Sequence, residues 1–239
     1  FFYVNYGAQV SSKEKGGFGK KDVVGKHPIG NAKPFYEGKD IKRWKLSNRD
    51  LWLNYRSEEM YGPRHPALFE QEKIAVRMIS DKGHVLAAAL DKTGNYSNHS
   101  VVLIASYDDL KDTALRGDFG DFEHIEASLD LRYVLAMILS KLESFYFKKR
   151  FATESLQGST SHTYPSAVRG LLIKNIDRKE QEKFIEIVDK LFELTQPDNS
   201  LKDIGIQKQV TLCEDELNKL VYQLYGLTPE EIKIIEGVK

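Results

Sequence analysis

Gly16-Gly17-Phe18-Gly19-Lys20 has the composition of a loop that wraps phosphate, with glycines that free backbone amides and a lysine at the end. A Walker A loop needs Gly at 14 and Ser or Thr at 21, and this chain has Glu14 and Lys21. A dinucleotide fingerprint starting at Gly17 needs Gly at 22, where Asp22 stands. What remains is a polar loop over residues 11–29 whose cations and amides suit contacts to phosphate oxygens without forming a nucleotide pocket. Other chemistries are weaker. Pro197-Asp198 with Glu231-Ile232-Lys233 has the letters of a metal-dependent nuclease, but the first pair falls in a loop between helices and the second in a capping box. The six His and one Cys show no zinc spacing. No catalytic residue and no metal ligand is therefore expected of this chain. His27, before Pro28, reads as a turn residue, and Cys213, on an apolar helical stripe, as a small core residue.

The cations are better placed for chemistry. Net charge is zero, but residues 1–50 carry eleven Lys/Arg against five Asp/Glu, and residues 177–239 carry nine against fourteen. A basic front and an acidic tail would offer one face to a polyanion and another to a protein neighbour; alternatively, the front lysines are simply solvated. The candidate nucleic-acid contacts are Lys13, Lys15, Lys20, Lys21 and Lys26 in the first loop, then Arg43, Arg56, Arg64, Arg77, and the run Lys148-Lys149-Arg150. Arg64 lies beside His65 in a Gly/Pro turn. Arg77 interrupts an apolar strand, so it either pairs with an acid or reaches a groove. The run at 148–150 closes a helix, where the dipole alone accounts for three cations; the same charges suit backbone phosphates.

These residues need elements to hold them. At 239 residues and 41% hydrophobic, one large or two small domains can bury a core. Residues 1–10 (FFYVNYGAQV) predict a strand, with Gly7 marking a bulge or close approach. Trp52, Leu53 and Tyr55 predict a short strand, and residues 74–79 alternate like a half-buried one. Strands at 85–90 and 101–105 bracket Asp91-Lys92-Thr93-Gly94-Asn95-Tyr96, a hairpin connection. After Ser128, a cap, Leu131, Val134, Leu135, Ile138, Leu142, Phe145 and Tyr146 make one helical face. Asp177 with Glu180 caps a helix striped by Phe184, Ile187, Val188 and Leu191. Cys213, Leu217, Leu220, Val221 and Leu224 stripe the last long helix, which Gly226 ends. Thr228-Pro229-Glu230-Glu231 then starts a short helix, with Ile232 and Ile235 facing inward. The two striped helices should pair as an antiparallel hairpin. The expected fold class is α+β: a twisted mixed or antiparallel sheet with a long helix over residues 1–176, then a helical hairpin over 177–239. No apolar run reaches the roughly 18 residues that span a bilayer, and there is no signal peptide, so the cytoplasm is the expected compartment. The chain opens on Phe1-Phe2-Tyr3 without Met, which predicts a piece of a longer polypeptide.

Several stretches are more specific than their shapes. Residues 220–232 (LVYQLYGLTPEEI) resemble the end of the TaqI-like C-terminal specificity domain of type IIG restriction-modification enzymes and related adenine-N6 DNA methyltransferases. Gly38-Lys39-Asp40-Ile41-Lys42-Arg43-Trp44 is similar to a segment that recurs in type IIG and type I specificity domains. Here Gly38 supports a turn, Ile41 anchors it and Asp40 can brace a cation, so either a structural role or direct base contact fits. The run from Lys73 to Ile104, with Asn98, His99 and Ser100, resembles the family's central sheet. The helix from Tyr133 to Leu142 resembles the family's, with Leu139 where Asn is usual. Where the family has a Leu-Pro-Ile-Pro-like strand, this chain has residues 170–176 without prolines.

The resemblance implies a target-recognition domain that reads double-stranded DNA. Its partners would be methyltransferase, and in some members nuclease, domains of the same polypeptide. Those parts would use S-adenosylmethionine, and Mg where a nuclease is fused; no cofactor is implied for this chain. It has no two adjacent prolines, hence no Asn/Asp-Pro-Pro-aromatic motif for a flipped adenine, and no glycine fingerprint for S-adenosylmethionine. Base-reading side chains would come from the loops at 11–29, 56–65, 77–84 and 152–164, in the major groove, with Arg to guanine the commonest pairing. Half of a type I restriction specificity subunit is the alternative within DNA recognition. A helical protein-interaction module that touches no DNA is the alternative from another class.

Overall fold

The β-branched and aromatic runs of the first hundred residues form strands, and the residues with three-and-four spacing form helices. The computed structural model describes residues 2–47, 50–78, 86–110, 128–151, 163–197, 200 and 202–237. Its central sheet has four strands: β1 (Phe2–Tyr6), β9 (Lys73–Arg77), β10 (Ala88–Asp91) and β12 (Val101–Ser106), in the order β1-β12-β9-β10 and antiparallel throughout. Val4 lies opposite Ile104, and Ile104 opposite Ile74.

Both faces of this sheet are covered. Val4, Ile74, Val76, Val102 and Ile104 share a core with helical residues Val134, Leu135, Ile138, Phe184, Val188, Leu191, Leu217 and Val221. Tyr3, Ala75, Ala89, Leu103 and Ala105 pack instead on Phe35, Leu53, Phe69 and Tyr96. Those belong to a second layer built on the mixed sheet of β3 (Val24–Gly25), β4 (Lys33–Tyr36), β7 (Leu51–Leu53) and β11 (Tyr96–Ser97), in the order β11-β4-β7-β3, together with α2 (Ala67–Glu70). The fold is α+β in three layers. Residues 74–76 are therefore buried on both faces, where alternation had pointed to a half-buried strand. Lys73 at the strand's start is fully buried and pairs with equally buried Asp91 at 2.8 Å.

The other departures from expectation have local causes. Asp91 to Tyr96 does not join a hairpin, because β9 lies between β10 and β12; the chain leaves the central sheet there to form β11. The apolar face expected as one helix after Ser128 belongs to two, α3 (Leu131–Ile138) and α4 (Lys141–Arg150). Asp130, not Ser128, caps α3 through a 2.8 Å bond from Arg132 N. Ser140 caps α4, accepting from Glu143 N at 3.1 Å, and Asn218 Oδ1 accepts from Lys141 N at 2.8 Å. These acceptors replace the helical carbonyls that a continuous helix would supply. Residues 171–176 form no strand; they follow α5 (Pro165–Arg169) and lead into α6 (Arg178–Thr195).

Elsewhere the local signals hold. Asp177 and Glu180 close a capping box on α6, and Thr228 and Glu231 another on α8 (Pro229–Glu236). Gly226, at φ +65°, ends α7 (Ile204–Tyr225). Cys213 is buried at 3% exposure, whereas Ile232 and Ile235 are only half-buried. The strand expected over residues 1–10 is split at Gly7 into β1 and β2 (Gln9–Ser12): a Cβ on Gly7 would lie 2.4 Å from the Asn98 carbonyl oxygen, so only glycine admits this approach. Among the described residues no helix is long and apolar enough to cross a membrane.

Candidate nucleic-acid interface

Residues 38–46 contribute to both cores, Trp44 to the helical one and Ile41 to that of the second layer. Gly38, Lys39 and Asp40 form one 3-10 turn, followed by the two-residue strands β5 (Ile41–Lys42) and β6 (Lys45–Leu46). A Cβ on Gly38 would sit 2.5 Å from the Ser100 carbonyl oxygen. Asp40, fully buried, accepts from Glu37 N at 2.9 Å. Arg43 points into the protein: Nε and Nη2 donate to Glu214 Oε1 on α7 at 3.1 and 2.8 Å, Nη1 to the Leu86 carbonyl at 3.2 Å, and Nη2 to the Leu139 carbonyl at 2.9 Å. Trp44 Nε1 donates to the same Glu214 oxygen at 2.7 Å. Buried Lys45 caps the end of α6, donating to the Gln196 and Pro197 carbonyls at 2.9 Å each. The segment thus joins sheet to helices, the structural role that its residue types allowed.

The first basic loop is anchored at its root. Lys13 N donates to the Glu59 carbonyl at 2.9 Å, and Lys13 Nζ to the Glu58 carbonyl. β2 pairs with β8 (Met60–Gly62) through Gln9 opposite Gly62 and Ser12 opposite Met60. Arg56 lies 5.4 Å from the Phe18 ring centre and 3.6 Å from Glu59. Lys20, at the start of α1 (Lys20–Val23), pairs with Glu37 Oε1 at 2.6 Å, and Lys39 pairs with Glu37 Oε2 at 2.9 Å. Asn98 Nδ2 also donates to Glu37, at 3.0 Å. Burial alone would raise the Glu37 carboxyl, but its bonds to the two lysines outweigh burial and hold it below its ordinary value. Lys15, Lys21 and Lys26 are exposed.

At the Tyr6 end of the central sheet, where Val101 lies opposite Arg77, three of the four expected loops meet. From the second loop, Arg64 Nε donates to the Tyr6 carbonyl at 3.1 Å, and Arg64 N donates to the Tyr55 hydroxyl at 2.7 Å. From the third, the Met78 carbonyl accepts from Thr163 N of the fourth at 2.6 Å. Tyr164 is the N-cap of α5, which packs against β1, and the Tyr6 phenol is raised first by burial and then by Tyr164. Residues 79–84 and 152–162 of these loops lie outside the described residues. Tyr61, 67% exposed, and Tyr164, 50% exposed, add aromatic surface that charge-based reading of the sequence passed over. Their signal was available: isolated tyrosines in loops predicted to touch bases.

Lys148, Lys149 and Arg150 are exposed at the end of α4. Lys149 Nζ lies 5.7 Å from the Phe145 ring centre, and the Arg150 guanidinium is equally far from that of Phe151. The charged heads of Lys149 and Arg150 thus lie over aromatic faces while both residues stay exposed to solvent. The structure thus brings Arg64, Arg77 and the root of the first loop to neighbouring parts of the sheet and its lobe, carries 148–150 on a helix, and turns Arg43 inward. Glu214 carried no local signal, because Arg43 and Trp44 reach it only through the fold; Glu37 has a local partner in Lys39, but Lys20 and Asn98 come to it by tertiary contact.

A family model described as the TaqI-like C-terminal specificity domain matches residues 33–171, and the chain belongs to that family. The match takes in the segment Gly38 to Trp44 and the run Lys73 to Ile104, and stops short of residues 220–232. The chain is also similar to a solved structure of the type IIL restriction-modification enzyme MmeI in complex with DNA, with a TM-score of 0.62 at 8% identity, covering 95% of this chain and 33% of that one. At that identity the likeness is one of fold, and this chain spans a third of MmeI's length. No curated protein matches the sequence.

Proposed function

We propose that this chain reads double-stranded DNA as the target-recognition domain of a restriction-modification protein. The observation that carries the reading is the convergence at the Tyr6 end of the sheet, where Arg64, Arg77, Tyr164 and the Met78–Thr163 contact bring three loops together. Family membership supports it, as does the fold shared with MmeI. Lysines of the first loop, with Lys148, Lys149 and Arg150, neutralise phosphates and position the duplex. Side chains from the converging loops contact base edges. In the finer reading the protein is of type IIG and acts in the cytoplasm. Domains outside this chain methylate adenine at N6 from S-adenosylmethionine, and a fused nuclease, where present, uses Mg.

The test is selection from a randomised duplex pool with the purified chain at two salt concentrations, followed by sequencing. Enrichment of one short motif, with affinity falling as salt rises, is expected. Absence of binding even at low salt would sink the reading in favour of a protein-interaction module.

A further inference from the structure

We propose that Arg43 and Glu214 are a positioning pair, which fixes the recognition end of the sheet against the helices and thereby sets sequence selectivity without touching DNA. The inference rests on the DNA reading above. A guanidinium has five N–H groups in a rigid fork. Four bonds of Arg43 go to Glu214, Leu86 and Leu139, and no bidentate edge remains for a guanine or a phosphate. Glu214 Oε1 collects three donors, two from Arg43 and one from the Trp44 indole.

Trp44 shows that this joint is over-determined. It is 1% exposed and sits at φ +65°, a left-handed conformation costly for a bulky side chain. Such strain persists where the surroundings dictate it, typically at functional positions. Here Trp44 N donates to the Ala88 carbonyl at 3.0 Å, and Glu214 holds the indole.

From Arg43 the contacts run to both candidate DNA-facing regions. The Leu86 carbonyl that it holds precedes Ala87, whose own carbonyl accepts from Arg77 N at 2.9 Å. The Leu139 carbonyl that it holds lies at the break between α3 and α4, and α4 carries 148–150. Shifting the pair therefore moves the sheet end relative to the helix that bears the phosphate contacts. Phosphate contacts tolerate such a shift, whereas base-edge hydrogen bonds demand placement within roughly half an ångström.

The experiment measures affinity of the purified chain for the selected duplex and for a scrambled duplex across a salt series, using wild type, R43A, E214Q and the double variant. Folding is checked by circular dichroism. Each single variant is expected to lower the specific-to-scrambled ratio about ten-fold, comparable to one mismatched base pair. The double variant should lose no more than the worse single, as for two halves of one contact. The slope of log affinity against log salt should stay at the wild-type value. A merely structural defect would reduce the active fraction and weaken both duplexes equally, leaving the ratio intact. If R43A lowers the salt slope by about 0.9 while E214Q changes nothing, Arg43 is a phosphate contact and the proposal is wrong. An unchanged ratio in both variants also overturns it. R43K, which keeps the charge but loses the fork, carries the same test should R43A not fold. A wild-type chain that selects no motif would defeat the DNA reading and this inference with it, before any substitution is made.

Discussion

Glu143 is 1% exposed on α4, with Oε2 accepting from Leu172 N at 3.3 Å and no hydrogen bond at Oε1 among the described residues. Burial raises its pKa to about 7, against the opposing pull of the Leu172 amide, and the Tyr225 hydroxyl nearby is raised to about 12, first by burial and then by Glu143. An acid whose folded pKa exceeds its unfolded value near 4.5 keeps its proton on folding. Its neutral form stabilises the fold below the unfolded pKa, and that contribution drains away as pH rises from 4.5 to about 7. Over that window wild type should lose on the order of 3 kcal/mol more than E143Q, measured by urea unfolding at pH 5, 6.5 and 8. Parallel curves for the two proteins would show that Glu143 is ionised throughout. At this scale the sequence disclosed residue types but not partners. Arg43 was legible as a cation, yet Glu214 lies 171 residues away, and only the folded chain shows that the two meet.

Elements were legible where a local rule decides them. The boxes at Asp177–Glu180 and Thr228–Glu231 and the glycine stop at 226 each depend on residues within one turn, so pattern and structure agree. The break between α3 and α4 was not legible, because the apolar spacing continues across it while Ser140 and Asn218 supply the competing acceptors. If those acceptors cause the break, Ser140→Ala should cost about 1 kcal/mol in a urea titration, as for other lost N-caps. A gain in stability would mean that the sequence prefers one continuous helix and that Ser140 holds it apart. The missing hairpin between β10 and β12 has a different origin. Turn residues at 91–96 announce a reversal but do not say which sheet receives the next strand, and burial of Tyr96 beside Phe69 at 4.4 Å draws it into the second layer.

Across the whole molecule, zero net charge conceals a division between a basic first fifty residues and an acidic last sixty. Family membership and the α+β class were legible because residues 33–171 retain the family's wording; burial of the central sheet on both faces was not, because it needs a second layer that local alternation cannot report. Lys148, Lys149 and Arg150 test how the charge is used. All three are exposed, the heads of Lys149 and Arg150 lie over Phe145 and Phe151, and none of the three belongs to the core. Replacing all three by Ala should therefore leave stability nearly unchanged. If they neutralise phosphates, each removes about 0.9 from the salt slope, so the triple variant should flatten it by roughly 2 to 3. The selected motif should stay the same, because phosphate contacts hold register without reading bases. Polarisation titrations at four salt concentrations, with selection repeated at the lowest, measure both quantities. An unchanged slope would remove α4 from the DNA face and leave its cations to the helix dipole, whereas an altered motif would make them readers of bases.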